Sequence, residues 1–519
     1  MSAAGRRTTR RVTSSSPTSR PSNPGCSTIP TPRAGQSSTA RCASASTFPT
    51  RSASATRTFP PSAADRSPDG TSWTGGCREP SGFWQPRRVY CPRVPTTEQR
   101  GPAVINAPPP SPPGSGLTRR RFVAGAASAG LALALPFPLR SWQERQFDTV
   151  VVGGRLIDPA EGIDAPRDIG ITGGRVARVA ERFAEGEGRQ VVRAHGMIVT
   201  PGLIDVHVHV YDGVSGVSIE PDVVGIAKGV TTVVDAGSSG ATTFPGFRTY
   251  VAAPARTRVY ALLNVSSPGM TISNELADLA YIDPDAIVAT VEANRDVIVG
   301  LKVRMLAGIP GGDDLEVMRL TRLAAEGAGV PIMVHIGGQT SPLPRILEML
   351  RPGDVVTHAL RRTRSILDDA GNVYREVLEA VERGIHLDIG HGRGNLDFDV
   401  AERALGQGIR LAAISSDVHR GNALGPVFGL PTTLTKFLHM GMSLEEVIRC
   451  ATSTPAGIFD FGEELGTLRE GAVADLSVFQ MVEGDYELVD SGGKRRTASR
   501  RLVPYAAMRA GRPYGAITR

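Results

Sequence analysis

Eight short apolar runs, separated by stretches of helical period, constrain the fold of this chain more than any other feature. In order they are Gly202–His209, Thr231–Ala236, Val259–Val265, Val297–Met305, Pro331–Ile336, Asp354–His358, Ile385–Gly390 and Leu411–Asp417. Runs that alternate with helices in this way read as βα units around a parallel sheet. Eight such units close into an α/β (β/α)8 TIM-like barrel, placed at residues 201–465, and that fold carries its active site at the carboxyl ends of its strands. Shorter alternating runs lie on either side of the barrel. Thr149–Val152, Asp168–Ile171, Arg175–Val179 and Gln190–Val192 precede it, Ala474–Phe479 and Ala507–Gly511 follow it, and all read as strands.

The carboxyl ends of the barrel runs are where polar residues gather: His207, His209, Lys302, His335, His358 and Asp417. His207 and His209 belong to Pro201-Gly-Leu-Ile-Asp-Val-His-Val-His209, and residues two apart on a strand share a face, with side chains about 7 Å apart. On its own, H-x-H is compatible with an ordinary half-buried strand. Four imidazoles, a lysine and a carboxylate converging on one rim are a different matter, because imidazole and carboxylate suit zinc and its neighbours.

The formal charge of +7 suggests a nucleic-acid partner only until it is divided along the chain. Residues 1–121 hold 18 arginines, no lysine and four acids, a charge of +14, which leaves −7 on residues 122–519. The body is mildly acidic, so a basic-patch argument for nucleic-acid binding has no support there. Residues 1–116 are rich in Ser, Arg, Pro and Thr without apolar period, and are expected to be a disordered low-complexity tail. Cys26, Cys42, Cys77 and Cys91 fall in that tail, leaving the body Cys450 alone and no disulfide framework. Thr118-Arg-Arg-Arg-Phe-Val123 then opens an Ala-rich apolar run, and residues 117–146 read as a twin-arginine-like signal segment. Because signals stand at N-termini, and no methionine occurs between Met1 and Met197, the tail is expected to be upstream DNA translated in frame, with a start near Val104 or Leu117. The segment implies contact with the twin-arginine export machinery and a periplasmic or extracellular location, or a cytoplasmic one if the signal is not used.

The motifs Pro201–His209, Gly300-Leu-Lys302-Val-Arg304, Met333-Val-His335-Ile-Gly, Val355-Val-Thr-His358, Ile414-Ser-Ser-Asp417-Val-His419 and Gly466–Asp475 together resemble the amidohydrolase superfamily. Asp235–Gly240 and Gly390-His391-Gly392 add a resemblance to its deacetylase-type, binuclear branch. The resemblance implies that segments 147–200 and 466–519 pair into one small β-sandwich flanking the barrel. It also implies two divalent ions, zinc or else manganese, one held by His207, His209 and Asp417, the other by His335 and His358. Lys302 would bridge them as N6-carboxylysine, because an ammonium is repelled by cations whereas its carbamate is an anion with two oxygens.

Two adjacent ions acidify water and polarise a carbonyl, which makes the reaction hydrolysis of an amide or ester, with Asp417 as general base and then general acid. Arg304 shares a strand face with Lys302 and suits a substrate carboxylate. His391, Asn264 and Ser238 are further substrate-binding candidates, with His419 behind them. Members of the dihydroorotase type carry Arg two residues after the second histidine, where this chain has Tyr211. The expected activity is deacylation of a small N-acyl amino acid or acylated hydroxy acid. The alternatives are a cyclic-amide hydrolase of the hydantoinase or dihydroorotase type, and a catalytically silent barrel acting as a scaffold. A homo-oligomer is compatible with all three.

Overall fold

The computed structural model describes residues 146–305 and 313–515, so the expected tail and nearly all of the expected signal segment lie outside the described residues. The chain opens with β1 (Phe147–Asp158), β2 (Ile163–Thr172), β3 (Arg175–Ala180), β4 (Gly188–Arg193) and β5 (Ile198–Pro201). Seven barrel strands follow: β6 (Leu203–Val208), β7 (Val230–Gly240), β8 (Arg258–Asn264), β9 (Ile298–Arg304), β10 (Ile332–His335), β11 (Val355–Thr357) and β12 (His386–Leu387). Strands β13 (Leu476–Val489), β14 (Arg495–Arg509) and β15 (Arg512–Gly515) come last.

The flanking strands form one hydrogen-bonded sheet in the order β15-β14-β13-β5-β1-β2-β3, with β4 beside β1. Early and late parts of the chain meet where β5 runs antiparallel to β13, Pro201 opposite Leu476 and Ile198 opposite Phe479. Val151, Leu156, Ile169, Ile171, Val199, Leu476 and Val478 give this sheet a core of its own. The connection to the barrel is short: Gly202 N–H donates to Asp475 O (2.8 Å) and Leu203 N–H to Ser477 Oγ (2.9 Å), which fixes the root of the first barrel strand.

Strands β6 to β12 are neighbours in sequence order and every pairing among them is parallel. All eleven residues of β7 are buried, as expected for a strand covered on both faces. Residues 411–418 close the remaining gap, with Asp388 bridging Ala413 on one side and Val208 bridging Val418 on the other. The eighth run is thus in place, yet it is not a regular strand. Ser416 turns its N–H to Asp205 Oδ1 (3.0 Å) and its hydroxyl to Oδ2 (2.5 Å), and Asp417 adopts φ 46°, so the backbone leaves the ladder where the site begins.

Helices cover the outside. The helix Asp314–Ala328 starts at Asp313, whose carboxylate accepts the Glu316 N–H, and stops at Gly329 in the left-handed region. Its Val317, Met318, Ala324 and Ala328 join Leu301, Val303, Ile332 and Val334 of β9 and β10 in the main core.

Candidate metal centre

The barrel brings six side chains from four strand ends and the closing segment to one rim. His209 Nε2 lies 3.3 Å from Asp417 Oδ1, and His207 Nε2 lies 3.6 Å from the same oxygen. One ligand atom from each of these three residues falls within 4.8 Å of the others. Lys302 Nζ is 3.1 Å from His207 Nε2, and His358 Nε2 is 3.0 Å from His335 Nδ1. The rings of His207 and His358 stand 5.0 Å apart and link the two halves of the cluster.

Three imidazoles have the far nitrogen tied, and this decides where the near one points. His207 Nδ1 is held by Thr357 Oγ1 (3.0 Å), His209 Nδ1 by Ser238 Oγ (3.0 Å) and His358 Nδ1 by the Gly390 carbonyl (2.8 Å). Outer partners of this kind set ring orientation and tautomer for metal ligation, and here they leave each Nε2 facing inward. His358 and Asp417 both have positive φ, 69° and 46°, a strained backbone that gathers at functional sites because surrounding structure must hold it.

Protonation also suits a ligand set. Burial and the nearby Lys302 charge hold His207 well below the ordinary imidazole range, and burial brings His358 down to about 3, so both are neutral. Burial is the largest single influence and pushes the Asp417 carboxyl up, but the His209 hydrogen bond together with the nearby His209, His358 and His419 rings keeps the group below its usual range, hence ionised. Burial lowers Lys302 to about 7, which makes its neutral amine accessible near neutral pH. Gly237 provides the space for this lysine: at φ 86° it tolerates a conformation other residues resist, and a Cβ there would lie 2.7 Å from Lys302 Cγ. Neutral imidazoles with oriented nitrogens, an ionised carboxylate and a depressed lysine fit divalent metal of the zinc type.

The substrate-binding candidates are placed less simply. Arg304 reaches the rim, but its Nε and Nη2 grip the two oxygens of Glu275, a buried carboxylate, so its fork is engaged within the protein. Ser238 orients His209, and Asn264 donates to Gly237 O and accepts from Ser266 N–H, shaping the turn beneath Lys302. His391 is fully buried, its Nδ1 donating to Gly392 O (2.9 Å) and its Nε2 accepting from Lys436 Nζ (2.5 Å). Tyr211 donates to Thr243 O and packs edge-on against Phe247. His419 accepts the Gly421 N–H at Nδ1, which leaves its own proton on Nε2.

Sequence reasoning missed the layer of carboxylates beneath the ligands. Asp205 accepts from Ser416, Asp235 accepts the Val210 and Ser238 N–H groups (both 2.7 Å), and Asp388 accepts from Thr357 Oγ1 (2.6 Å) and Ser415 Oγ (2.9 Å). Each is an acid set inside an apolar run, and that was the one signal available.

The chain belongs to the amidohydrolase family, whose model matches residues 198–499. It is 38% identical over 340 residues to a deacetylase from Agrobacterium fabrum, covering 64% of this chain and 83% of the relative. It is 32% identical over 372 residues to a deacetylase from Enterococcus faecalis, covering 71% of this chain and 99% of that one. Among solved structures, one described as an adenine deaminase shares 33% identity with a TM-score of 0.67, across 71% of this chain and all of the other. Another, described as a dihydroorotase, shares 34% identity with a TM-score of 0.65, across 71% and 97%. Family membership makes this protein a hydrolase with relatives named as deacetylases, and metal dependence is general to the family.

Proposed function

We propose that this chain is a binuclear metal-dependent deacylase that removes the acyl group from a small N-acyl amino acid or acylated hydroxy acid. The observation that carries the reading is the joint state of the rim: inward-facing neutral imidazoles, an ionised Asp417 and a buried lysine brought down to about 7. His207, His209 and Asp417 would hold one ion, zinc or manganese, and His335 and His358 the other, with Lys302 carboxylated between them. When bound, such ions acidify water and polarise the carbonyl to be cleaved. Asp417 takes the proton of the attacking water on its carboxylate and returns it to the leaving nitrogen or oxygen. His419, with its proton on Nε2, stands beside His209 at 6.5 Å between rings and is placed to donate a hydrogen bond to a substrate oxygen.

Cyclic-amide hydrolysis is the second reading, favoured by the 34% identity to a structure described as a dihydroorotase. Elemental analysis followed by one screen separates the readings: acyclic N-acyl amino acids and acyl hydroxy acids on one side, hydantoins and dihydroorotate on the other. Turnover of the acyclic set alone supports the deacylase, turnover of the cyclic set alone replaces it, and a metal-free, inactive protein leaves a scaffold. We also propose export by the twin-arginine route, supported by the Arg119-Arg120-Arg121-Phe122 sequence before an apolar run. Fractionation of the native host tests it, and a protein confined to the cytoplasm would end the idea.

A further inference from the structure

The loop after β11 carries a guanidinium that the metal centre does not use. Arg361 follows His358 by three residues, and its charge bears on both His358 and His335, favouring their neutral forms. Its Nη1 donates to the Ile336 carbonyl (2.6 Å), at the end of the neighbouring β10. The planar group lies flat on Gly337, where φ is 108° and a Cβ would stand 1.7 Å from Nη1 and 2.1 Å from Cζ. Glycine at this position therefore clears a slot for the guanidinium beside the two imidazoles.

What the slot lacks is an anion. Arg361 Nε is enclosed and has no hydrogen-bond partner, and no carboxylate among the described residues forms an ion pair with this side chain. Burial holds its charge down, and the nearby cation Arg364 adds to that rather than relieving it. Arg304 shows the contrast, since it sits on the same rim with Glu275 gripped in its fork. An enclosed donor without an acceptor is costly, and on an ion without a counter-ion among the described residues an anion arriving at Nη2 would offset that cost. Loop fastening alone does not account for it. Arg364 fastens the same loop through the Gln339 carbonyl (2.6 Å) from an exposed position, with no enclosed donor.

We propose that Arg361, rather than Arg304, anchors the carboxylate of the substrate, with Nη2, the fork nitrogen that is neither enclosed nor hydrogen-bonded among the described residues, donating to a carboxylate oxygen as a charge-assisted pair. This rests on the deacylase reading of the site and deepens it: the substrate is an acylated acid, bound by its free carboxylate on the His335 and His358 side of the rim.

The test uses the metal-loaded full chain and a panel of N-acetylalanine, N-acetylphenylalanine and O-acetyllactate, each as free acid and as primary amide. Hydrolysis and calorimetric binding are both measured for wild type, Arg361→Gln and Arg361→Lys. Wild type is expected to favour the acids by about 10- to 100-fold in kcat/KM, the size of a hydrogen-bonded pair to a charged group. Arg361→Gln should bring the acid-to-amide ratio close to one, mainly through KM, and Arg361→Lys should recover part of it. A wild type without acid preference, or a Gln variant that keeps it or loses acid and amide turnover equally, overturns the anchor. Should wild type hydrolyse none of the panel yet bind the acids through Arg361, the anchor stands and the deacylase reading falls.

Discussion

Thr357 is a small side chain on which a large effect should depend. Its hydroxyl accepts from His207 Nδ1 (3.0 Å) and donates to Asp388 Oδ2 (2.6 Å), so one oxygen joins a ligand imidazole to a buried carboxylate. Thr357→Val keeps the shape and removes both bonds. Each buried group left unpaired costs about 1–3 kcal/mol, so the pair amounts to about 2–6 kcal/mol. The lower half of that range is expected, because burial already raises Asp388 to about 6 and a neutral carboxyl can absorb part of the loss. Asp388 would retain Ser415 Oγ (2.9 Å), with Oδ1 already lacking a partner. His207, free to change tautomer, should hold metal about 10- to 100-fold more weakly. Chelator competition reads the affinity and chemical unfolding of the metal-free chain reads the stability, with Thr357→Ser as the control that restores the hydroxyl. A Val variant within twofold of wild type in metal affinity would show that the link does not orient the ligand.

Lys436 is buried with Nζ donating to His391 Nε2 and to Pro426 O (2.8 Å), and burial lowers its amine to about 7 from an unfolded value near 10.5. Between those values the unfolded chain binds a proton that the folded chain does not, so this lysine makes stability rise with pH, by up to about 1.4 kcal/mol per pH unit. Its contribution is full above 10.5 and lost as pH falls to 7. The stability of wild type relative to Lys436→Met should therefore climb between pH 7.5 and 9.5 on the order of that slope, and a flat difference would sink the assignment. Removal of residues 1–139 should leave metal content and turnover unchanged, because every proposed ligand lies at or after His207. A truncated chain that folds without holding metal would contradict this.

The barrel was legible because strands buried on both faces must be apolar, and seven of the eight runs coincide with β6 to β12. The eighth escaped regular form for a reason no local pattern carries: Ser416 answers to Asp205, 211 residues away. The residues gathered at the rim were legible for the same reason as the strands, since a polar residue ending an apolar run stands out. The partners that orient them were not. Thr357 reads as an ordinary strand residue until folding sets it against His207, 150 residues distant, and Ser238 resembles a substrate contact until His209 Nδ1 is seen upon it. Arg304 was placed on the right rim, but Glu275 lies in a loop whose path the sequence pattern does not reveal.

The central claim is that Lys302, carboxylated, joins two metal ions held by the four histidines and Asp417. Its most direct test is the metal content of Lys302→Ala beside wild type, measured by elemental analysis after equal reconstitution. Two ions per chain are expected in wild type, with loading slowed when carbon dioxide is excluded, and a marked loss of both metal and turnover in the variant. Acetate or propionate should restore part of each by filling the cavity with a small carboxylate. A variant that retains both ions and full turnover would show that Lys302 is a strand-end lysine and would withdraw the binuclear reading.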